Sequence, residues 1–190
     1  MHRAALAMRT FIAVDVSNAA IVKLQDEILS TPEWNLRDVK PVERENIHFT
    51  LIFLGEVTDH DLEKIKEKLA GLQFEPFKLN YEGIGAFPSL TAARVVWAGV
   101  DPQGGQKLIA LAQHVILKMF ELGFKADKTF SPHMTLFRAK GRPLRLSDIT
   151  AKYKGRIFGS DVIDMVQLKK SELTPSGPIY SNIYTIQAHK

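Results

Sequence analysis

His48-Phe49-Thr50-Leu51-Ile52-Phe53-Leu54-Gly55-Glu56-Val57 and Phe130-Ser131-Pro132-His133-Met134-Thr135-Leu136-Phe137-Arg138 are two versions of one pattern. Each carries a His-x-Thr inside an apolar run of strand length, and the histidines lie 133 − 48 = 85 residues apart. Alternate side chains of a strand share a face, so the His and Thr of each copy point the same way. Two such strands side by side bring two imidazoles and two hydroxyls around one pocket. An imidazole titrates near neutrality and a hydroxyl can donate to oxygen, a set suited to acid–base chemistry on a phosphate ester.

Working outward, the same order of elements precedes each copy. Residues 10–16 (TFIAVDV) read as a buried strand, closed by Ser17-Asn18 as a helix cap. Ile21, Leu24 and Ile28 recur at helical spacing to about Leu29, and Thr31-Pro32 ends the run. After the first His strand, Thr58-Asp59-His60-Asp61 reads as a capping box for a helix with Leu62, Ile65 and Leu69 inward, closed by Gly71. In the second half, residues 93–100 (ARVVWAGV) read as a strand and Asp101-Pro102 as a helix start. Leu108, Leu111, Val115, Met119 and Leu122 line one helix face up to Gly123, and the second His strand follows over residues 130–138. Asp15 to His48 is 33 residues and Asp101 to His133 is 32, so each half reads strand, helix, His-x-Thr strand. Further strands are expected over residues 77–81, 162–170 and 179–187. The fold class expected is α+β: two pseudo-symmetric lobes, each an antiparallel sheet with helices on its outer face, and an active-site cleft between them.

The 190 residues suit one bilobal domain over residues 8–190, with residues 1–7 as an N-terminal extension ahead of the first strand. At 45% hydrophobic the chain has ample material for a core, and its net charge of +4 fits a solvated surface as well as a nucleic-acid partner. There is no cysteine. Disulfides, thiolate nucleophiles, iron–sulfur clusters and Cys-rich zinc sites are thereby excluded, and a reducing cytoplasm is the expected setting. The stretch before Arg9 is too short for a signal-peptide core, and no run approaches the roughly 18 apolar residues of a membrane span. No membrane association is expected, and the chain is expected to be a monomer.

The quoted stretches, with Asn46-Ile47 before the first and Phe11-Ile12-Ala13-Val14-Asp15 near the start, resemble the paired motifs of the two-histidine (2H) phosphoesterases. The likeness extends through Leu168-Lys169-Lys170-Ser171-Glu172-Leu173-Thr174-Pro175-Ser176-Gly177-Pro178-Ile179-Tyr180 and is strongest to the LigT-like RNA 2′,3′-cyclic phosphodiesterases, also called 2′-5′ RNA ligases. It implies a bilobal fold and metal-independent hydrolysis of a 2′,3′-cyclic phosphate end to a 2′-phosphate, without a cofactor. It also implies His48 as proton donor to the leaving 3′ oxygen and His133 as proton acceptor that activates water. Thr50 and Thr135 are candidate donors to the phosphate oxygens. The partner implied is an RNA with a cyclic end, such as a tRNA half, or a small cyclic nucleotide. Two other readings stay open: 2′-5′ ligation in the same site, and a non-catalytic RNA or nucleotide binder.

Five residues after each histidine stand Phe53 and Arg138, placed by strict alternation on the face away from the histidines. A bulge would turn both into the cleft, Arg138 to bind phosphate and Phe53 to stack a base, whereas core packing is the plainer reading of Phe53. Gly83-Ile84-Gly85-Ala86 lacks the third glycine of a dinucleotide fingerprint and reads as a turn between strands. Lys152, Lys154, Arg156, Lys169 and Lys170 read as a solvated face or an RNA guide. Glu43 and Glu45 sit near His48 without the spacing of a zinc site.

Overall fold

In the computed structural model of the chain, residues 7–17, 19–31, 37–175 and 177–189 are described. Asn18 of the expected helix cap, Pro32 of the expected helix end and residues 1–6 of the expected extension lie outside them. Two antiparallel sheets form the body. The first has β1 (Met8–Asp15), β3 (His48–Val57), β8 (Met165–Thr174) and β9 (Gly177–Gln187), in the spatial order β3-β1-β8-β9. The second has β2 (Val39–Pro41), β4 (Phe77–Phe87), β5 (Val95–Val100), β6 (Met134–Ala139) and β7 (Ile157–Ile163), in the order β2-β6-β5-β4-β7.

The sheets match strand for strand: β3 with β6, β1 with β5, β8 with β4, β9 with β7. They do not match the two halves of the chain. β2 and β4 leave the first half to join the second sheet, and β8 and β9 return from the C-terminus to the first. The reason is physical: two strands and one helix leave a face and an edge uncovered, and each sheet is completed by strands from elsewhere in the chain. One strand has no counterpart. β2 pairs with the His strand β6, whereas β3 is the edge of its sheet.

The helices form where the apolar spacing predicts. α1 (Ala19–Leu29) buries Ile21, Leu24 and Ile28 and packs across β7 of the second sheet, so closely that a Cβ on Gly159 would stand 2.6 Å from that of Ala20. α2 (Asp59–Ala70) is capped by the Thr58 hydroxyl, which accepts from the Asp61 amide at 3.2 Å, and buries Leu62, Ile65 and Leu69. α3 (Pro102–Phe120) begins at Asp101, whose carboxylate accepts from the Gly104 amide at 2.9 Å and from the Asn80 amide of β4 at 2.5 Å. Side chains such as Ile21, Ile65 and Leu108 are fully buried, each worth about 1.5–3 kcal/mol over exposure. A short helix α4 (Ser147–Tyr153) and the strand β2 carry too little periodicity to be expected from sequence. Among the described residues no helix is long and apolar enough to cross a membrane.

Three expectations are corrected. Gly83-Ile84-Gly85-Ala86 lies inside β4, not in a turn. Gly83 takes φ +71° where the β4–β5 register slips, and a Cβ on Gly85 would stand 2.1 Å from the Trp97 ring. Both glycines serve the strand, one as a bulge and one as a seat for an indole. The run over residues 162–170 is not one strand; it divides at Asp164 between β7 and β8. The second His strand is shorter than expected, and residues 130–133 precede it outside any strand.

Candidate active site

β3 and β6 bring the two motifs to one cleft of about 630 Å³, inside the range of small-molecule sites. His48, Thr50, His133 and Thr135 all line it. Each imidazole is oriented in the same way. His48 Nδ1 donates to the Asn46 carbonyl at 2.8 Å, and His133 Nδ1 donates to the Ser131 carbonyl at 2.7 Å. With the proton of the neutral ring held on Nδ1, Nε2 of each histidine is left to exchange a proton. His48 Nε2 lies 2.9 Å from Thr50 Oγ1 and accepts from that hydroxyl while the ring is neutral.

Aromatic rings wall both histidines. Phe11 of β1 lies 5.1 Å from the His48 ring and Tyr180 of β9 meets it edge-on at 5.4 Å. Phe87 of β4 meets His133 edge-on at 4.9 Å, with Trp97 of β5 at 6.3 Å. Burial pushes His48 down to about 4, opposed by its bond to the Asn46 carbonyl. The cations of Lys169 and Arg138 lower it further, and the Asp15 carboxylate acts the other way. So buried, His48 is neutral at neutral pH. Burial also raises Tyr180, which keeps its phenol protonated.

Both His strands are bulged one residue after the threonine. Ala13 pairs with Thr50 and Ile12 with Ile52, which leaves Leu51 extra; Trp97 pairs with Thr135 and Val96 with Phe137, which leaves Leu136 extra. Beyond each bulge the alternation is inverted, so Phe53 and Arg138 stand on the cleft side and line it. Phe53 is 66% exposed, which overturns the core-packing reading of that residue. A sequence signal for the bulge was present: the apolar doublets Leu51-Ile52 and Leu136-Phe137 break the alternation, and all four side chains are buried. The second bulge is braced from behind, because the Gln25 amide of α1 donates to the Leu136 carbonyl at 2.9 Å and to that of Val42 at 3.1 Å.

Sequence reasoning missed Tyr180, Phe11 and Lys40 as parts of the site; aromatic and basic residues on strands are too common to stand out alone. It also misread Lys169. That ammonium is not on a solvated face but only 5% exposed, and it is bound to Asp15 at 2.8 Å. Asp15 is the cross-strand partner of His48. Lys152 and Arg156 are engaged by Glu27, and Lys170 by Glu172. Among the described residues no three His, Asp or Glu side chains converge as a metal-ligand set.

The sequence matches the family described as LigT like Phosphoesterase over residues 17–97 and 99–180. It is 42% identical over 176 residues to the RNA 2′,3′-cyclic phosphodiesterase of Archaeoglobus fulgidus, covering 93% of this chain and 98% of that one. The protein of the same name from Methanocaldococcus jannaschii is 37% identical over 180 residues, with coverage of 93% and 98%. Among solved structures, a Thermus thermophilus protein matches with a TM-score of 0.74 at 29% identity, over 95% of this chain and 97% of that one. Escherichia coli LigT in its apo form matches in fold, with a TM-score of 0.78 at 22% identity over 97% and 99% of the two chains. With the family pattern spanning both His-x-Thr strands and relatives aligned from end to end, this chain belongs to the LigT-like family of two-histidine phosphoesterases.

Proposed function

We propose that the protein opens the 2′,3′-cyclic phosphate end of an RNA to a 2′-phosphate by acid–base catalysis between His48 and His133, without a metal. The observation that carries this reading is the matched pair of imidazoles, each held through Nδ1 by a backbone carbonyl so that Nε2 is left for proton transfer. Its family and the name shared by relatives at up to 42% identity support the substrate class.

In the proposed reaction the cyclic phosphate lies between the two lobes with water on the His133 side. His133 accepts a proton from the water as its oxygen bonds to phosphorus. The bond from phosphorus to the 3′ oxygen breaks on the opposite side, and His48 delivers a proton to that oxygen. The products are a 2′-phosphate and a free 3′-hydroxyl. Thr50 and Thr135 donate to the non-bridging oxygens, Arg138 adds a cation beside them, and Phe53 stacks a base. Because burial keeps His48 neutral, the proton that it delivers is taken up as the anionic substrate arrives. Ligation is the same reaction with a 5′-hydroxyl in place of water run through the same pair, and water at molar tens favours hydrolysis.

The test is an oligonucleotide with a 2′,3′-cyclic end, incubated with excess EDTA. The wild type opens the ring, and His48→Ala and His133→Ala each lose about 10²–10⁴-fold. Activity retained by either variant removes the acid–base assignment, and loss of wild-type activity with EDTA makes the protein a metal enzyme.

A further inference from the structure

The cleft is not symmetric, although the strands that build it are. On the first lobe the position five residues after the histidine is Phe53, on β3, the edge strand of its sheet among the described residues. On the second lobe it is Arg138, and there the additional strand β2 covers the edge. β2 is only three residues long, and its register sets Lys40 directly opposite Arg138. Directly opposed residues of an antiparallel pair share a face, and like charges placed so are destabilising. Both side chains are exposed, and both line the cleft. The Arg138 side chain makes no hydrogen bond or ion pair with another described residue, although Glu43 and Asp127 also line the cleft, whereas Lys40 has a contact of its own.

The reacting phosphate does not require this arrangement. A cyclic diester carries one negative charge, and two imidazoles, two threonine hydroxyls and Arg138 already converge on it. An ammonium on the residue opposite Arg138, lining the same cleft, suits a second anion. RNA supplies that anion at a fixed place: the diester that joins the terminal nucleotide to its predecessor. A nucleoside 2′,3′-cyclic phosphate has no such group.

We infer that Lys40 and Arg138 form a second phosphate site, which takes the linkage on the 5′ side of the terminal nucleotide and so selects the cyclic end of an RNA chain over a free nucleoside cyclic phosphate. The inference rests on the proposed reaction. It gives β2 a function: the strand carries an ammonium into the cleft, for which the first sheet has no matching strand among the described residues. The base is then taken by Phe53 and the preceding linkage by Lys40, whose ammonium lies beside Gly177 at the start of β9.

The experiment compares two dinucleotides with the same bases and the same 2′,3′-cyclic end. One has an ordinary phosphodiester linkage, and the other has a methylphosphonate linkage of nearly the same shape without the charge. Wild-type kcat/KM is about tenfold higher for the charged linkage, the effect expected of one charge-assisted contact, and the difference lies in KM. Lys40→Gln brings the two substrates together, and Lys40→Arg restores the gap. Arg138 is left intact because it also faces the reacting phosphate. Equal wild-type rates on both substrates, or a ratio that Lys40→Gln does not move, overturn the second site and leave the proposed reaction standing. A folded wild type that opens neither ring overturns the reaction and the second site with it.

Discussion

Two backbone carbonyls determine what the two histidines can exchange. Asn46 and Ser131 each lie two residues before the histidine that they hold, and both take the Nδ1 proton. The surroundings then separate the two rings. His48 is packed between Phe11 and Tyr180 and is held down to about 4 by burial, whereas its ordinary value is 6.5. If His48 is the acid, a phosphate must raise it. Binding of a nucleoside 2′-phosphate at pH 6 is then accompanied by uptake of a proton, measured by calorimetry in buffers of different ionisation enthalpy. A proton balance unchanged by His48→Gln would instead make His48 the base and His133 the acid. The same burial has a consequence for stability. The folded value lies below the unfolded one, so between about pH 4 and 6.5 the unfolded chain binds the extra proton. The contribution of neutral His48 is fully present above 6.5 and is lost as the pH falls towards 4. Wild-type stability, followed by urea unfolding, should fall across that window relative to His48→Gln, by up to about 1.4 kcal/mol per pH unit.

At the scale of the element, the bulge decides which residues reach the substrate. Without the extra Leu51 and Leu136, strict alternation would turn Phe53 and Arg138 away from the cleft. A bulge was readable as a possibility from the apolar doublets, but its position depends on what pairs with the strand, and β1 and β5 are distant in sequence from the strands that they hold. The glycines of β4 were misread for the same reason. Gly85 is needed because Trp97, on the neighbouring strand, lies over it. Gly85→Ala should cost about 1–3 kcal/mol of stability by displacing the indole. Because Trp97 and Phe87 flank His133, kcat should fall as well; thermal melts and rates on a cyclic-ended oligonucleotide check both. A melting temperature unchanged from wild type would mean that the indole moves aside freely.

Across the whole molecule the first sheet depends on the last strands of the chain. β8 and β9 complete it, and the link from β8 to β1 includes the Lys169–Asp15 ion pair, beside the floor of the His48 site. Removing the buried Lys169 leaves the partly solvated Asp15 carboxylate without its mate. Lys169→Met should therefore destabilise the fold by about 1–2 kcal/mol, between an exposed and a fully buried pair, because Asp15 keeps 38% of its side chain in contact with solvent. It should also raise the titration of His48, since the ammonium that lowers it is gone while the Asp15 carboxylate remains. Chemical denaturation and a histidine NMR titration measure the two effects; a variant as stable as the wild type, with His48 unmoved, would mean that the pair is incidental.

The sequence by itself determined the strand–helix–His strand order of each half, the helix caps at Thr58 and Asp101, the core faces of α1, α2 and α3, and the two histidines with their threonines. All of these follow from local periodicity, capping chemistry and a repeated motif, which need no knowledge of distant partners. Only the tertiary structure decided that strands cross between the halves, that Phe53 and Arg138 face the cleft, that Lys169 is buried against Asp15 and that Lys40 lies opposite Arg138. Those facts depend on register between strands far apart in the chain, and register is set by the packing of whole faces, which no local pattern records.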